Sequence, residues 1–144
     1  MRASTLHFVG LATTLAVALT LGVGVPGIVH AQSDLKAKIP FEFYAGNQKF
    51  APGDYTVRDF GTYIQLSDRK GHSTFVMTTA VTKSNWRDIQ NGLLVFSNYG
   101  EYRFLSQVWT EGYSFGKELL KVPLEVEIAQ KELSNQKIAL RAGR

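Results

Sequence analysis

The chain has no cysteine among its 144 residues, so it can form no disulfide, present no thiolate nucleophile and offer no thiolate to a metal. Histidine is almost as scarce: His7 and His30 precede Ala31, and only His72 follows it. A Cys/His zinc site or a His-rich catalytic metal centre cannot be assembled from the residues after Ala31. No basic stripe is present either. The net charge of +4 comes from scattered lysines and arginines, among them Lys36/Lys38 and Arg69/Lys70, set between acids. A nucleic-acid-binding face needs such residues gathered on one side, so that class is set aside. Gly92, Gly100 and Gly112 do not fall in a phosphate-cradling pattern before a helix.

Long apolar runs are confined to one place, the N-terminus. Arg2 is the only fully charged residue before Asp34, and an apolar stretch from Phe8 to Val23 follows it. Pro26 and Gly27 break that stretch, and Val29-His30-Ala31 offers small or aliphatic residues at the −3 and −1 positions of a processing site. This order is that of a secretory leader, expected to be removed after Ala31, leaving no membrane span. Without cysteine, lipid anchoring at the cleavage site is excluded. The expected organisation is a leader over 1–31 and one domain over 32–144, large enough to bury roughly two-thirds of its unfolded surface without a staple.

What fills that domain is alternation. Ile39, Phe41 and Phe43 alternate with Pro40, Glu42 and Tyr44, the period-two pattern of a strand with one dry face. Gly46-Asn47 and Pro52-Gly53 supply turns, and Tyr55 and Val57 begin a second strand. A polar lead-in through Lys36 is expected before the first of these. Ile64 and Leu66 mark another strand, Asp68 to Gly71 a hairpin loop, and Ser73 to Thr82 a Thr- and Val-rich strand. Lys83 to Gly92 reads as a loop, and Leu93 to Phe96 as a strand buried on both faces. Tyr102 to Thr110 is a further strand, with Tyr102, Phe104, Ser106 and Val108 on one face and Arg103, Leu105, Gln107 and Trp109 on the other. Glu111 to Lys121 reads as a connector. The tail from Val122 reads as a helix, with Pro123 in its first turn and Val122, Val126, Ala129 and Leu133 as its apolar stripe. The fold class is all-β with a C-terminal helix: a small antiparallel barrel or sandwich of about six to seven strands.

Few residues invite catalysis. A Ser-His-Asp arrangement would have to use His72, beside a turn, with Asp68 as its carboxylate. Paired acids could hydrolyse a glycoside without histidine, and Glu42, Asp54, Asp59, Glu101 and Glu111 are the candidates, though acids on the wet face of a sheet show the same spacing. No cofactor or metal is implied. A binding surface is the better fit, from Trp86, Tyr113 and Phe115 in two loops, where aromatic rings could shelve a sugar or a peptide. Trp109, within a strand, is expected in the core.

The order Ile39-Pro40-Phe41-Glu42-Phe43, Ala51-Pro52-Gly53-Asp54-Tyr55, Leu94-Val95-Phe96 and Phe104-Leu105-Ser106-Gln107-Val108-Trp109 resembles a group of short exported proteins abundant in soil acidobacteria. The shared residues belong to turns and strands, so the resemblance implies a bacterial exported protein and transfers no catalytic residue. The expected function is a non-catalytic binding or interaction module in the periplasm or outside the cell, meeting a small apolar or glycan ligand or an envelope protein. A structural envelope protein and a carboxylate-dependent hydrolase are the alternatives.

Overall fold

The computed structural model describes residues 34–81, 91–111, 115–132 and 135–143, so the expected leader and most of the Lys83–Gly92 loop lie outside the described residues. Leu35, Ala37 and Ile39 alternate with Lys36 and Lys38 along β1 (Leu35–Ile39), the first set buried and the lysines exposed. The polar lead-in therefore ends before Leu35. Pro40 has no N–H to give a ladder, so pairing stops there and resumes in β2 (Phe43–Ala45). The facing nevertheless carries across the break. Ile39 and Phe43 are buried, and Phe41 packs edge-on against Phe96 at 5.2 Å. Gly46, at φ 59°, turns the chain into β3 (Gln48–Phe50), a conformation that costs a side chain but not glycine.

An antiparallel meander follows through β4 (Gly53–Asp59), β5 (Tyr63–Asp68) and β6 (Ser73–Val81), as the alternation predicts. Val57, Ile64, Leu66 and Val76 point into the core. A second hairpin joins β7 (Gly92–Tyr99) to β8 (Tyr102–Trp109) through Gly100 at φ 60°. Leu94, Val95 and Phe96 are buried, as a strand covered on both faces requires. The chain then forms β9 (Gly116–Leu119), α1 (Pro123–Lys131) and β10 (Gln136–Ala142).

Several expectations are corrected. The described residues hold ten strands in one connected sheet, not six or seven in a barrel or sandwich. The sequence disguises the surplus strands: β2 and β3 have only three residues each, β9 has four and sits in the expected connector, and the seven-residue β10 occupies the expected helical tail. The sheet is mixed, because β2 meets β8 in parallel at Tyr44 and Phe104. Nor does it close into a barrel. The path runs β1-β4-β5-β6-β9-β8, with β7 and β10 on the far side of β8, and β10 returns to β1 only at the bridge between Lys36 and Gly143.

The helix begins at Pro123 as expected but ends at Lys131. Its inward stripe is also different. Glu125 and Ile128 are buried, Val122 and Ala129 are partly buried, and Val126 is exposed. Leu133 lies outside the described residues. The facing of β8 differs for a local reason. Val95 pairs with Gln107 and Phe96 with Leu105, so Ser106 is an extra residue and the alternation slips across it. Leu105 and Val108 thus share the main core, while Phe104 joins Tyr99 and Ile128 in a second one under α1.

The main core is dominated by rings: Phe43 lies 5.4 Å from Phe50, 5.2 Å from Tyr55 and 5.4 Å from Phe96. Trp109 is buried as expected, and its indole lies directly over Gly116, where a Cβ would overlap it, holding β9 against β8. Phe104 is 2 % exposed and stacks on Tyr44 at 5.0 Å, so Phe104→Ala is expected to cost about 3–5 kcal/mol. Phe41, only partly buried under the Arg103 guanidinium, should cost distinctly less when cut to Ala. Denaturant melts of the two variants check this, and equal losses would contradict the two-core packing.

Candidate functional site

Of the three aromatic residues expected to form a binding shelf, Trp86 and Tyr113 lie outside the described residues. Phe115 is placed next to the start of β9 and is 45 % exposed. The structure does not bring the three together within what is described.

His72 does meet Asp68, with Nδ1 2.8 Å from Oδ2, on a side chain that is 68 % exposed. The other carboxylate oxygen accepts from the backbone N–H of Lys70 at 2.8 Å and of His72 at 2.9 Å. Those bonds close the β5–β6 turn. The His72 ring beside Asp68 holds its carboxyl below the usual aspartate range. The pair latches a hairpin in open solvent, where a triad base would need burial. The candidate acids are likewise engaged. Glu42 pairs with Lys49 at 2.8 Å, Asp54 with Arg69 at 3.3 Å, and Asp59 accepts from Gly61 N at 2.7 Å. Glu42 and Glu101 share a cleft of about 220 Å³ with Tyr44 and Arg103, while Glu111 lies beyond the end of β8. Among the described residues no three His, Asp or Glu side chains come together as a metal site.

Two arrangements were not visible in the motifs. The first is a polar cluster under α1. Pairing of β10 with β7 sets Lys137 opposite Ser97, and Lys137 Nζ reaches Ser97 Oγ at 2.7 Å and Ser106 Oγ at 3.3 Å. A lysine whose pKa is lowered, here chiefly by burial and by Lys121, beside a serine is the pairing of a general base with a nucleophile. The geometry denies it a substrate. Ser97 is fully buried, and the Ser106 hydroxyl donates to Val95 O at 3.0 Å. The two hydroxyls instead hold the ammonium over the β-bulge. Nearby, Glu125 is 5 % exposed in the first turn of α1 and accepts from Tyr99 Oη at 3.3 Å. Burial pushes its carboxyl above the ordinary range. Lys121, the Tyr99 hydroxyl and Lys137 pull it back, and Glu118 adds to the rise.

The second arrangement is apolar and exposed. On the outer side of the meander, opposite in facing to Val76 and Thr78, Phe75 is 61 % exposed and Met77 56 %. Their cross-strand partners in β5 are Gln65 and Tyr63. Phe60 stacks on Tyr63 at 5.1 Å, and Tyr63 meets Phe75 edge-on at 5.8 Å. Leu120, itself exposed, donates its backbone N–H to Met77 O at 3.1 Å and so continues the patch beyond β9. The five side chains form one surface on the order of several hundred Å², the size at which exposed apolar area marks a contact site. The signal was present in the sequence as the parity of Ser73 to Val81. Once Val76 faces the core, Phe75 and Met77 must face out.

Among the described residues no helix is long and apolar enough to cross a membrane. Comparison with protein-family models, with curated proteins and with solved structures finds no match to this chain.

The buried carboxylate makes a pH prediction. A folded-state pKa raised above the unfolded value, about 4.3 for Glu, gives stability that is fully present below that value and lost as pH rises through the folded pKa. Glu125→Gln removes this loss. The variant should melt about 2–5 °C higher than wild type at pH 7, with the difference vanishing near pH 4. Melting curves between pH 4 and 8 check this, and a lower midpoint for the variant at pH 7 would contradict the burial cost.

Proposed function

We propose that the chain is an exported, non-catalytic binding module that acts in the periplasm or outside the cell, and that its contact surface is the outer face of β5 and β6. The leader pattern and the resemblance to exported acidobacterial proteins support the location. The observation that carries the function is the continuous exposed patch of Phe60, Tyr63, Phe75, Met77 and Leu120. Leaving such area in water forgoes roughly 25 cal/mol for each Å² that could be buried, so a partner gains by covering it.

The chemistry of the patch favours a protein over a sugar. Phe60 and Tyr63 lie face to face with an interplanar angle of 14°, so each ring hides one face from a ligand. A sugar platform needs open ring faces in a row, whereas Phe, Tyr and Met knobs are what the centre of a protein interface is enriched in. This reading puts the contact on the sheet face rather than on the loops that carry Trp86, Tyr113 and Phe115. The cleft between Glu42 and Glu101 is the remaining place for carboxylate chemistry among the described residues, but Glu42 is already paired with Lys49 at 2.8 Å on an exposed surface.

A photo-cross-linking phenylalanine analogue at position 75, in cells that export the protein, is expected to capture a specific partner protein. The same analogue at Lys38, exposed on β1, serves as the control. Equal capture at both positions would sink the proposal. With the analogue kept at position 75, the double change Met77→Ser, Leu120→Ser should sharply reduce capture while altering stability by no more than about 0.5 kcal/mol, as for other surface changes.

A further inference from the structure

Among the described residues, the same face carries an open strand edge. In an antiparallel pair, alternate residues send both backbone groups to one neighbour. Thr78 N–H donates to Thr62 O at 2.9 Å and Asp68 N–H to His72 O at 2.9 Å, so the even-numbered residues of β6 turn toward β5. The odd-numbered ones turn the other way, as the Leu120 N–H bonded to Met77 O confirms. On that other side β9 pairs with β6 only from Thr78 to Val81, and the chain leaves after Leu120 for α1. The N–H and C=O of Ser73 and Phe75 therefore face a position where no strand runs among the described residues. The turn at Gly46 comes against Val76 from the core side, closing the interior beneath the edge without a ladder to β6.

We propose that the partner engages this site as an extended polypeptide, adding a strand along the Ser73–Met77 edge in the line that β9 vacates, with its apolar side chains on Phe75 and Met77. The inference rests on the outer face being the contact surface. Two observations select an extended segment over a folded surface. Backbone donors and acceptors at Ser73 and Phe75 ask for partners at strand spacing, and the exposed side chains of Phe75 and Met77 alternate at the same spacing beside them. Native sheets cover or charge such edges, and nothing charged stands at Ser73, Phe75 or Met77 to repel an incoming strand. Main-chain hydrogen bonds then hold the peptide, and the apolar patch selects its outward-facing side chains.

The test separates the edge from the face. A fluorescein-labelled peptide of eight alternating threonine and valine residues, with glutamate at each end, is titrated into the protein by fluorescence anisotropy. The same peptide N-methylated at alternate residues, in either frame, keeps its side chains but loses its backbone donors. Ser73→Pro removes one free donor of the edge, at a position where the N–H does not serve the β5 ladder and proline is tolerated. Strand addition predicts binding to wild type, at least tenfold weaker for Ser73→Pro, for one N-methylated frame, and for the double change Phe75→Ser, Met77→Ser. If N-methylation leaves affinity unchanged while the double change reduces it, strand addition is overturned and the apolar face stands. The N-methylated peptides on wild type decide this even if Ser73→Pro fails to fold. No binding, together with a dimer in sedimentation velocity, overturns the inference in favour of a second copy of the chain. No binding to a monomeric protein overturns it outright, and cross-linking at position 75 then decides the face separately.

Discussion

Between Leu105 and Gln107, β8 carries one residue more than its partner β7, and the Ser106 hydroxyl spans the irregularity by donating to Val95 O at 3.0 Å. That extra residue turns the strand over. Before it Phe104 faces outward to Tyr99, Tyr44 and α1; on either side of it Leu105 and Val108 both face the main core. Without the bulge, a strict alternation would send Leu105 and Val108 to opposite faces. The bulge therefore lets Leu105 and Val108 both serve the main core while Phe104 serves the second. The second core gives α1 an apolar seat, and α1 in turn draws the chain away from β6 after Leu120.

The two sides of the sheet use polarity differently. Under α1, one charge has been taken out of water, Glu125, which leans on the Tyr99 hydroxyl, while the exposed Lys137 sends its ammonium back to two serines. Both groups meet a burial cost, partly offset by their mutual attraction and, for Glu125, by Lys121. On the outer meander, apolar surface has been left in water instead. Ion pairs such as Arg58 with Asp34 and Arg69 with Asp54 sit elsewhere on the sheet, exposed and worth little to stability.

Much of the fold could be read from residue order, and the failures have local causes. The alternations around Val57, Ile64, Leu66 and Val76, and the turns at Gly46, Gly71 and Gly100, give the meander and hairpins directly, because period-two burial and positive φ leave a strong trace. Three-residue strands leave too short a trace to be counted, which hid β2 and β3. Gln136 to Ala142 was lost to a helical reading because good helix formers precede it, and its pairing with β7 is non-local. The burial of Glu125 left no trace, because a carboxylate in a helix's first turn suits the N-terminal dipole whether it is buried or exposed. The polar cluster could not be read at all, since Ser97 and Lys137 meet only through register. The apolar face could have been: fixing Val76 inward fixes Phe75 and Met77 outward.

The claim on which the functional account turns is that, among the described residues, β6 is paired on one side only between Ser73 and Phe75. Amide hydrogen exchange of the isolated protein, resolved by residue, reads this directly. The account predicts slow exchange at Thr74 and Val76, whose N–H groups lie in the β5 ladder, and fast exchange at Ser73 and Phe75. Equal protection of all four amides would contradict it.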